Sequence, residues 1–331
     1  MSGIKRIAIL LGDAAGVGAE IVVKALSREK YKKSCVILLI GSKPIFERAE
    51  NIVGEKIGVE YISSMDEYGN GKDGIYFWDL NDVMPEDAPF ATVSEKCGRS
   101  CIKQMDLAAG LYNDGIISGF AFAPFNKEAM ILAGLGCESE HEYFAKIFSQ
   151  NGPSGEINAL NGLWTSRVTS HIPISEVSGS ITEKSVYDAV MLISDTIKAN
   201  GIKNPRIGVA ALNPHCGEGG KCGREEIDAI IPAVKKAVGN GIDVSGPVSS
   251  DVLFIKAFDG EYDGVVTMYH DQGQIAMKLK GFSKGVTIAG GIKAPIATCA
   301  HGTAFDIAGK GVAESTAFEA AVDCVISMCG N

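Results

Sequence analysis

Short apolar runs that resemble β-strands alternate with amphipathic helical segments along most of this 331-residue chain. Residues 4–11, 36–40 and 115–122 are predicted strands, because each is apolar and adjoins a glycine turn. Apolar residues recur at helical spacing over residues 181–200 and 224–240, and both segments end at Asn/Gly signals. This alternation favours an α/β fold built on a mostly parallel sheet. Further helices are predicted over residues 19–27 and 91–114.

The length of the chain allows about two domains of roughly 150 residues each. The less regular stretch of residues 134–161 is the best candidate for a crossing between domains or for a dimerisation arm. No apolar run approaches the roughly 20 residues of a membrane span. The first residues lack the pattern of a cleaved leader, so we expect a cytoplasmic protein.

Charge and cysteine content argue against a nucleic-acid-binding protein and against a protein held together by disulfides. The formal net charge is −9 and the basic residues do not cluster, which argues against nucleic-acid binding. Nine cysteines, an odd number, are scattered through apolar segments, which favours reduced thiols over a disulfide framework. Cys97 and Cys101 would share a helix face, but no second pair completes a zinc site, so we interpret them as packing residues.

Three of the five histidines, His171, His215 and His270, each follow an apolar, strand-like run. Ligands of open α/β sheets bind beyond the carboxyl ends of the strands. Neutral imidazole is the commonest metal ligand, and three of them leave a coordination position open for substrate. The pattern therefore predicts a catalytic metal, with Cys216 and Asp271 as extra ligands or supporting partners. A structural hydrogen-bonding role for each histidine remains the alternative.

Two glycine-rich segments are candidate ligand loops. Residues 12–20 join the first predicted strand to the first helix, but their glycines do not have the GxGxxG spacing of a dinucleotide-binding turn. A purely structural turn and a ligand contact are both open there. Residues 301–311 are the densest polar and glycine-rich motif, in which backbone can approach a ligand and Asp306 could bind a hydroxyl pair. A plain loop-to-helix transition is the alternative.

The chain resembles the 4-hydroxythreonine-4-phosphate dehydrogenase family over nearly its whole length. The matching motifs are Thr-Ser-His-Ile-Pro at 169–173, Asn-Pro-His at 213–215, Tyr-His-Asp-Gln-Gly at 269–273, and the segment 301–311. The resemblance implies an isocitrate/isopropylmalate dehydrogenase-like α/β fold, in which two α/β domains flank an active-site cleft. One domain would comprise residues 1–130 plus 305–331, with both termini. The other would comprise residues 131–304, with the metal-site histidines and the dimer interface.

The resemblance also implies the cofactors and the roles of particular residues. The family forms a homodimer, in which the three histidines hold one divalent metal and at least one of them comes from the neighbouring subunit. Lys278, Asp251 and Asp271 match family positions that would neutralise charge, orient ligands or transfer protons. The resemblance assigns NAD to the following residues: His301, Gly302, Thr303, Ala304, Asp306 and Asn213.

Several substrate positions depart from the family pattern. Glu140-His141 replaces a His-Thr pair that grips phosphate, Thr287 replaces an Asn, and Ile296 replaces an Arg. Isoleucine cannot replace the bidentate anion clamp of arginine, and Glu140 would repel a phosphate. Lys293 is a nearby cation that would compensate in part. We therefore expect the metal and NAD chemistry to be retained, and the phosphorylated substrate to be changed or lost.

The leading hypothesis is a metal-dependent NAD dehydrogenase that oxidises a β-hydroxy acid and decarboxylates the product. The substrate would be 4-phosphohydroxythreonine-like, a related sugar acid or a diol carboxylate, and pyridoxine biosynthesis is the pathway that the family implies. Zinc is the favoured metal, with cobalt, nickel, magnesium or manganese as alternatives. A non-catalytic homologue that binds metal and NAD, and a phosphate acyltransferase of the same fold, are the competing hypotheses. No membrane partner is expected.

Overall fold

The computed structural model describes residues 5–32, 35–68, 74–281 and 284–330. The predictions for residues 1–4 and 331 lie outside the described residues. The chain divides into two compact units, each with its own helices and strands. The first unit comprises Met1–Gln150 and Ile292–Gly330, and the second is formed by Asn151–Gly291.

The first unit contains a six-stranded run of parallel sheet in the order β3-β4-β2-β1-β5-β12. Strand β2, with the sequence VILLIG, is buried along its whole length, as expected for a parallel strand with both faces covered. The strands are β1 (Arg6–Leu10), β2 (Val36–Gly41), β3 (Glu60–Ile62), β4 (Gly74–Asp79), β5 (Gly119–Phe122) and β12 (Ile296–Cys299). The helices are α1 (Gly18–Leu26), α2 (Lys43–Val53), α3 (Glu95–Asn113), α4 (Lys127–Leu132), α5 (Glu140–Ile147) and α11 (Thr316–Met328).

The second unit contains strands in the order β11-β6-β7-β10-β8-β9. Strand β6 is antiparallel to both of its neighbours, whereas β7, β10, β8 and β9 are parallel. The strands are β6 (Gly155–Leu160), β7 (Leu163–Arg167), β8 (Ile207–Ala210), β9 (Val244–Val248), β10 (Gly264–Thr267) and β11 (Val286–Gly290). The helices are α6 (Ile174–Ser180), α7 (Glu183–Ala199), α8 (Ile231–Gly239), α9 (Ser250–Phe258) and α10 (His270–Gly281).

The predicted strands and helices are confirmed to within a few residues. The helix predicted over 181–200 is α7, which begins where the Thr182 hydroxyl accepts the Ser185 N–H at 3.0 Å and ends at Asn200. The helix predicted over 91–114 is α3, which is shorter at its start because Ser94 caps it. The segment 224–240 forms a π-helical turn, Glu226–Ile230, that continues into α8.

The division into units differs from the predicted domain boundaries at residues 131–150 and 292–304. Both segments belong to the first unit rather than to the second. Helix α5 packs there because the ring of Phe144 contacts those of Phe120 and Phe122. Strand β12 belongs there because it pairs with β5.

Every helix among the described residues is too short or too polar to cross a lipid bilayer. All nine cysteines are free, and Cys97 and Cys101 are buried packing residues of α3.

The contact of α3 with α4 requires a residue without a side chain. A Cβ atom on Gly98 would lie 2.0 Å from the Ala129 carbonyl oxygen, whereas a Cβ on Gly110, also in α3, would meet nothing within 4 Å. We predict that Gly98→Ala lowers the free energy of unfolding by about 3 kcal/mol. Gly110→Ala should raise it by about 0.5–1 kcal/mol, since alanine favours the helix. Urea denaturation of both variants checks this, and equal effects of the two substitutions would contradict the close contact.

Candidate active site

The three histidines lie after the carboxyl ends of adjacent parallel strands of the second unit, as predicted. Strand β7 precedes His171, β8 precedes His215, and β10 immediately precedes the helix that begins at His270. In the sheet these strands are neighbours in the order β7-β10-β8. The fold of this unit therefore collects the three segments at the edge where α/β proteins bind ligands.

Two of the three imidazoles lie side by side. The ring centroids of His171 and His270 are 5.7 Å apart. The carboxylate of Asp271 lies 2.7 Å from His270 Nδ1, which favours the tautomer with the proton on Nδ1. Nε2 of His270 is then the lone-pair nitrogen, and a carboxylate behind a histidine is the usual support of a metal ligand.

His215 lies on a left-handed turn. All five residues from His215 to Gly219 have positive φ, including His215 at 51°, Cys216 at 56° and Glu218 at 46°. This region of φ is costly for residues other than glycine, so the surrounding structure must hold the turn. The position of His215 is consequently set by the anchoring of its loop.

The anchor of the His215 loop is Glu226, which is 1% exposed. Its Oε1 accepts the backbone N–H groups of Leu212 at 2.9 Å and Asn213 at 2.7 Å. Its Oε2 accepts an N–H of the Asn213 side-chain amide at 3.0 Å, and a Cβ on Gly217 would lie only 2.8 Å from this oxygen. A single buried carboxylate therefore holds the start of the turn, and its position leaves little room for a side chain at Gly217.

A cavity of about 320 Å³ opens beside His215. Gln272 fixes its wall, because its side chain accepts the Met268 N–H at 2.6 Å and donates to the Ala211 carbonyl and to Ser250 Oγ, both at 2.8 Å. The cavity is lined by Leu212, Asn213, Pro214, His215, Ser249, Ser250, Asp251, Tyr269 and Gln272.

Asp251 gives this cavity an exposed carboxylate. Ser249 Oγ donates a 2.7 Å hydrogen bond to Asp251 Oδ1. This bond, with smaller contributions from backbone N–H groups and from His215, holds the pKa of Asp251 below its ordinary value. The carboxylate is therefore ionised at neutral pH, in the form that can orient a ligand or accept a proton.

The fit of this site to a metal is partial within one chain. Among the described residues, no three His, Cys, Asp or Glu side chains form a group able to hold a metal ion. The structure brings His171 and His270 together and does not bring His215 into the same group. Imidazole nitrogens suit a divalent transition metal, but the two that lie together are fewer than the three protein ligands of a typical catalytic zinc site.

In the first unit, the two glycine-rich segments contact each other. The Val17 N–H donates to the Thr303 carbonyl at 3.0 Å, and a Cβ on Gly16 would lie 2.8 Å from Thr303 Cβ. Glu20, 1% exposed, accepts the N–H groups of Gly309 at 2.7 Å and Gly311 at 2.8 Å. The loop that contains the predicted NAD-binding residues is thus fastened to the start of α1.

The residues predicted to bind NAD fall in both units. The five from His301 to Asp306 lie in the loop of the first unit, with Asp306 exposed. Asn213 lies in the second unit, where its amide donates to Glu225 Oε2 at 2.7 Å and to Glu226. The structure uses Asn213 to hold the His215 loop.

The residues predicted to bind substrate are also spread over the chain. Glu140 and His141 lie in the first turn of α5, and Thr287 lies on β11. Ile296 is 0% exposed in β12, so its side chain packs in the core of the first unit. Lys278 is an exposed cation on α10.

Three residues that shape the site are absent from the sequence-based predictions. Glu20 and Glu226 are charged residues within otherwise apolar helix faces, a signal of a buried role that was available in the sequence. Arg167 interrupts a strand-like run, Leu163 to Val168, and its side chain is 7% exposed. Only Glu20 falls within a segment noted in the sequence, residues 12–20, and the partners of all three are backbone groups or distant residues.

Comparison with known proteins gives this arrangement a family. The family model described as "Pyridoxal phosphate biosynthetic protein PdxA" matches residues 33–325. A relative from Pseudomonas aeruginosa, named "Putative 4-hydroxythreonine-4-phosphate dehydrogenase 2", is 40% identical over 328 residues, which is 98% of this chain and 96% of the relative. The chain belongs to the PdxA family.

A second PdxA-family relative, from Oceanobacillus iheyensis and named "Putative D-threonate 4-phosphate dehydrogenase", is 37% identical over 93% of each chain. The crystal structure of a 4-hydroxythreonine-4-phosphate dehydrogenase from Klebsiella pneumoniae has a TM-score of 0.87 and 29% identity, covering 100% of this chain and 99% of that one. The expected α/β fold is confirmed. The protein is an oxidoreductase of a cofactor-dependent family that acts on CH–OH groups and is related to pyridoxine biosynthesis.

A buried carboxylate in the turn of residues 12–20 makes the stability of the folded protein depend on pH. Asp13 is 0% exposed; its Oδ1 accepts the Ala15 N–H at 2.8 Å, and its Oδ2 has no hydrogen-bond partner among the described residues. Burial raises the pKa of Asp13 from 3.8 to about 6. The folded state therefore favours the protonated form, and this contribution to stability is full below pH ~4 and lost as the pH rises through about 6.

We predict that Asp13→Asn, which cannot ionise, is more stable than the unsubstituted protein at pH 7.5 by up to about 3 kcal/mol, and that the difference shrinks towards pH 4. Urea denaturation at several pH values measures it, with Asp259→Asn as an exposed control. A stability difference that does not change with pH would show that Asp13 is ionised in the folded protein at all these values.

Proposed function

We propose that this protein is a NAD-dependent, divalent-metal-dependent dehydrogenase that oxidises a β-hydroxy acid and decarboxylates the product. The substrate class is that of 4-hydroxythreonine-4-phosphate and D-threonate 4-phosphate, the compounds in the names of its relatives. The observation that carries the proposal is the side-by-side pair of His171 and His270, with Asp271 hydrogen-bonded behind one of the rings.

Under this proposal the protein is a homodimer, and the metal would be held by three histidines, His171, His215 and His270. One copy of the chain brings two of them together, and the second copy supplies the third. An imidazole set suits zinc, cobalt or nickel, and the nearby carboxylates of Asp251 and Asp271 also admit magnesium or manganese. When bound, the metal supplies Lewis acidity to the hydroxyl and carboxylate oxygens of the substrate.

Oxidation removes a hydride from the carbon and a proton from its hydroxyl. Asp251 is placed to accept this proton, because its carboxylate is ionised at neutral pH and lines the cavity. Asp271 acts through His270 by holding its imidazole in one tautomer and orientation. NAD, held by the loop of residues 301–311, would supply the hydride acceptor when bound.

Lys278 serves the decarboxylation step. It follows Asp271 by two helical turns of α10, which places the two side chains on one face of that helix. Loss of carbon dioxide from a β-keto acid leaves an electron pair on the remaining carbon skeleton as an enolate. The exposed ammonium group of Lys278 neutralises this charge and returns a proton to the carbon.

The loop from His301 to Gly311 serves as the NAD site. Its glycines admit close approach of backbone to a ligand, and the exposed carboxylate of Asp306 suits a pair of ribose hydroxyls. Glu20 keeps this loop in place before NAD arrives. No cluster of arginines in the sequence suggests a 2′-phosphate site, so NAD is proposed over NADP.

The test is NADH formation by metal-loaded protein with phosphorylated and unphosphorylated hydroxy acids. Turnover of 4-hydroxythreonine-4-phosphate or D-threonate 4-phosphate alone would support the reaction of the relatives and refute a loss of the phosphorylated substrate. Turnover of unphosphorylated acids or diols would support a diverged pocket. Stoichiometric binding of metal and NAD without turnover of any of them would refute a dehydrogenase and favour a non-catalytic homologue.

The carboxylate behind His270 supplies a sharper prediction. Asp271→Asn should weaken metal affinity and reduce kcat/KM by roughly 10–100-fold, because the tautomer and orientation of His270 are no longer fixed. Asp259→Asn, an exposed residue after α9, is the control and should leave both quantities unchanged. Metal affinity is measured by competition with a chelator. Equal metal affinity of the two variants would contradict the role of Asp271.

A further inference from the structure

A line of polar side chains crosses three strands of the second unit. Asn158 on β6 is paired with Thr287 on β11, and with Thr165 on β7. Arg167 lies two residues beyond Thr165 and therefore on the same face of the sheet. Asn158 is the centre of this line, since its Nδ2 donates to Thr287 Oγ1 at 3.1 Å and its Oδ1 accepts from Arg167 Nη1 at 2.8 Å.

Arg167 is buried with part of its hydrogen-bonding capacity unused. Its side chain is 7% exposed, and its guanidinium donates to Glu156 Oε2 at 2.6 Å, Asn158 Oδ1 at 2.8 Å and Ser170 Oγ at 3.0 Å. A guanidinium has five N–H donors, so two have no partner among the described residues. A buried charged donor without an acceptor is costly, which points to an acceptor that binds from outside the chain.

The ion pair with Glu156 does not satisfy this guanidinium. Arg206 and Asp263, on the surface of the same unit, form a two-pronged pair through both carboxylate oxygens, at 3.0 and 2.9 Å. Arg167 contacts only one oxygen of Glu156, whose side chain is 33% exposed. Each guanidinium nitrogen of Arg167 already has one acceptor, so the donors that remain for a carboxylate or phosphate are the second N–H groups of its two terminal nitrogens.

Arg167 is linked to the segments that form the candidate active site. Gln274 of α10 donates to Asn158 Oδ1 at 2.5 Å, so the Arg167 network is attached to the helix that begins at His270. Lys278 lies one turn beyond Gln274 on the same helix face. Ser170, which accepts from Arg167 Nε, directly precedes His171.

We propose that Arg167 is a specificity-determining residue that binds an anionic oxygen group of the substrate, with Asn158 and Ser170 holding its guanidinium in place. The chemistry is that of a carboxylate or phosphate, which share charge and oxygen acceptors. This inference rests on the proposed function and deepens it. It supplies an anion clamp from β7, whereas Ile296 in β12 is buried and supplies none.

The test compares four variants by steady-state kinetics with D-threonate 4-phosphate and with D-threonate. Arg167→Met should raise KM by roughly 10–100-fold with little change in kcat, and Arg167→Lys should recover part of the loss. Glu156→Gln should lower KM severalfold, because it removes a negative charge that competes with the substrate. Arg206→Met is the control and should change neither constant.

The two substrates identify the group that Arg167 binds. A rise in KM for the phosphorylated substrate alone assigns the phosphate, and an equal rise for both assigns the carboxylate. Opposite effects of Arg167→Met and Glu156→Gln support the proposal in either case. If both variants raise KM together, or if Arg167→Met lowers only the unfolding midpoint, Arg167 is a structural ion-pair residue and the proposal is overturned.

A binding measurement separates this inference from the proposed function. If the unsubstituted protein oxidises neither substrate, calorimetric titration with inorganic phosphate and with acetate still tests the site. Binding of either anion that Arg167→Met abolishes and Arg206→Met retains upholds an anion site without the dehydrogenase. Absence of anion binding by the unsubstituted protein, or equal binding by Arg167→Met, overturns it.

Discussion

Each unit of this protein depends on one buried glutamate that binds the backbone of a glycine-rich loop. Glu20 accepts two N–H groups of the loop at Gly309 and Gly311, and Glu226 accepts those of Leu212 and Asn213. Both side chains are 1% exposed. Burying a carboxylate costs free energy unless it accepts hydrogen bonds. The loops contain backbone N–H groups that have no acceptor within a helix or a sheet. The carboxylate and these N–H groups therefore satisfy one another.

This constraint explains how irregular backbone can be held in a defined position. The turn from His215 to Gly219 has positive φ throughout, a conformation that a solvated loop would not keep. Glu226 fixes the entry to that turn, while Gln272 fixes the wall of the adjoining cavity. The site thus has the rigid surroundings that positioning of a metal ligand or a substrate requires.

The sequence predicts the elements of the fold and the strand ends at which the histidines lie, because these follow from short-range periodicity and from the parallel order of the strands. It does not predict that Ile296 is buried, since burial depends on the pairing of β12 with β5. Nor does it predict the partners of Arg167, which come from β6 and from the turn after β7. Such contacts depend on register, which one sequence does not reveal.

Residue-resolved hydrogen exchange of the backbone amides tests the role of the two glutamates most directly. If the buried carboxylates hold the loops, the N–H groups of Leu212, Asn213, Gly309 and Gly311 exchange as slowly as those of the buried strands, and Glu20→Ala or Glu226→Ala accelerates only its own pair. Exchange of these four amides at the rate of an open, solvated loop in the unsubstituted protein would contradict the account.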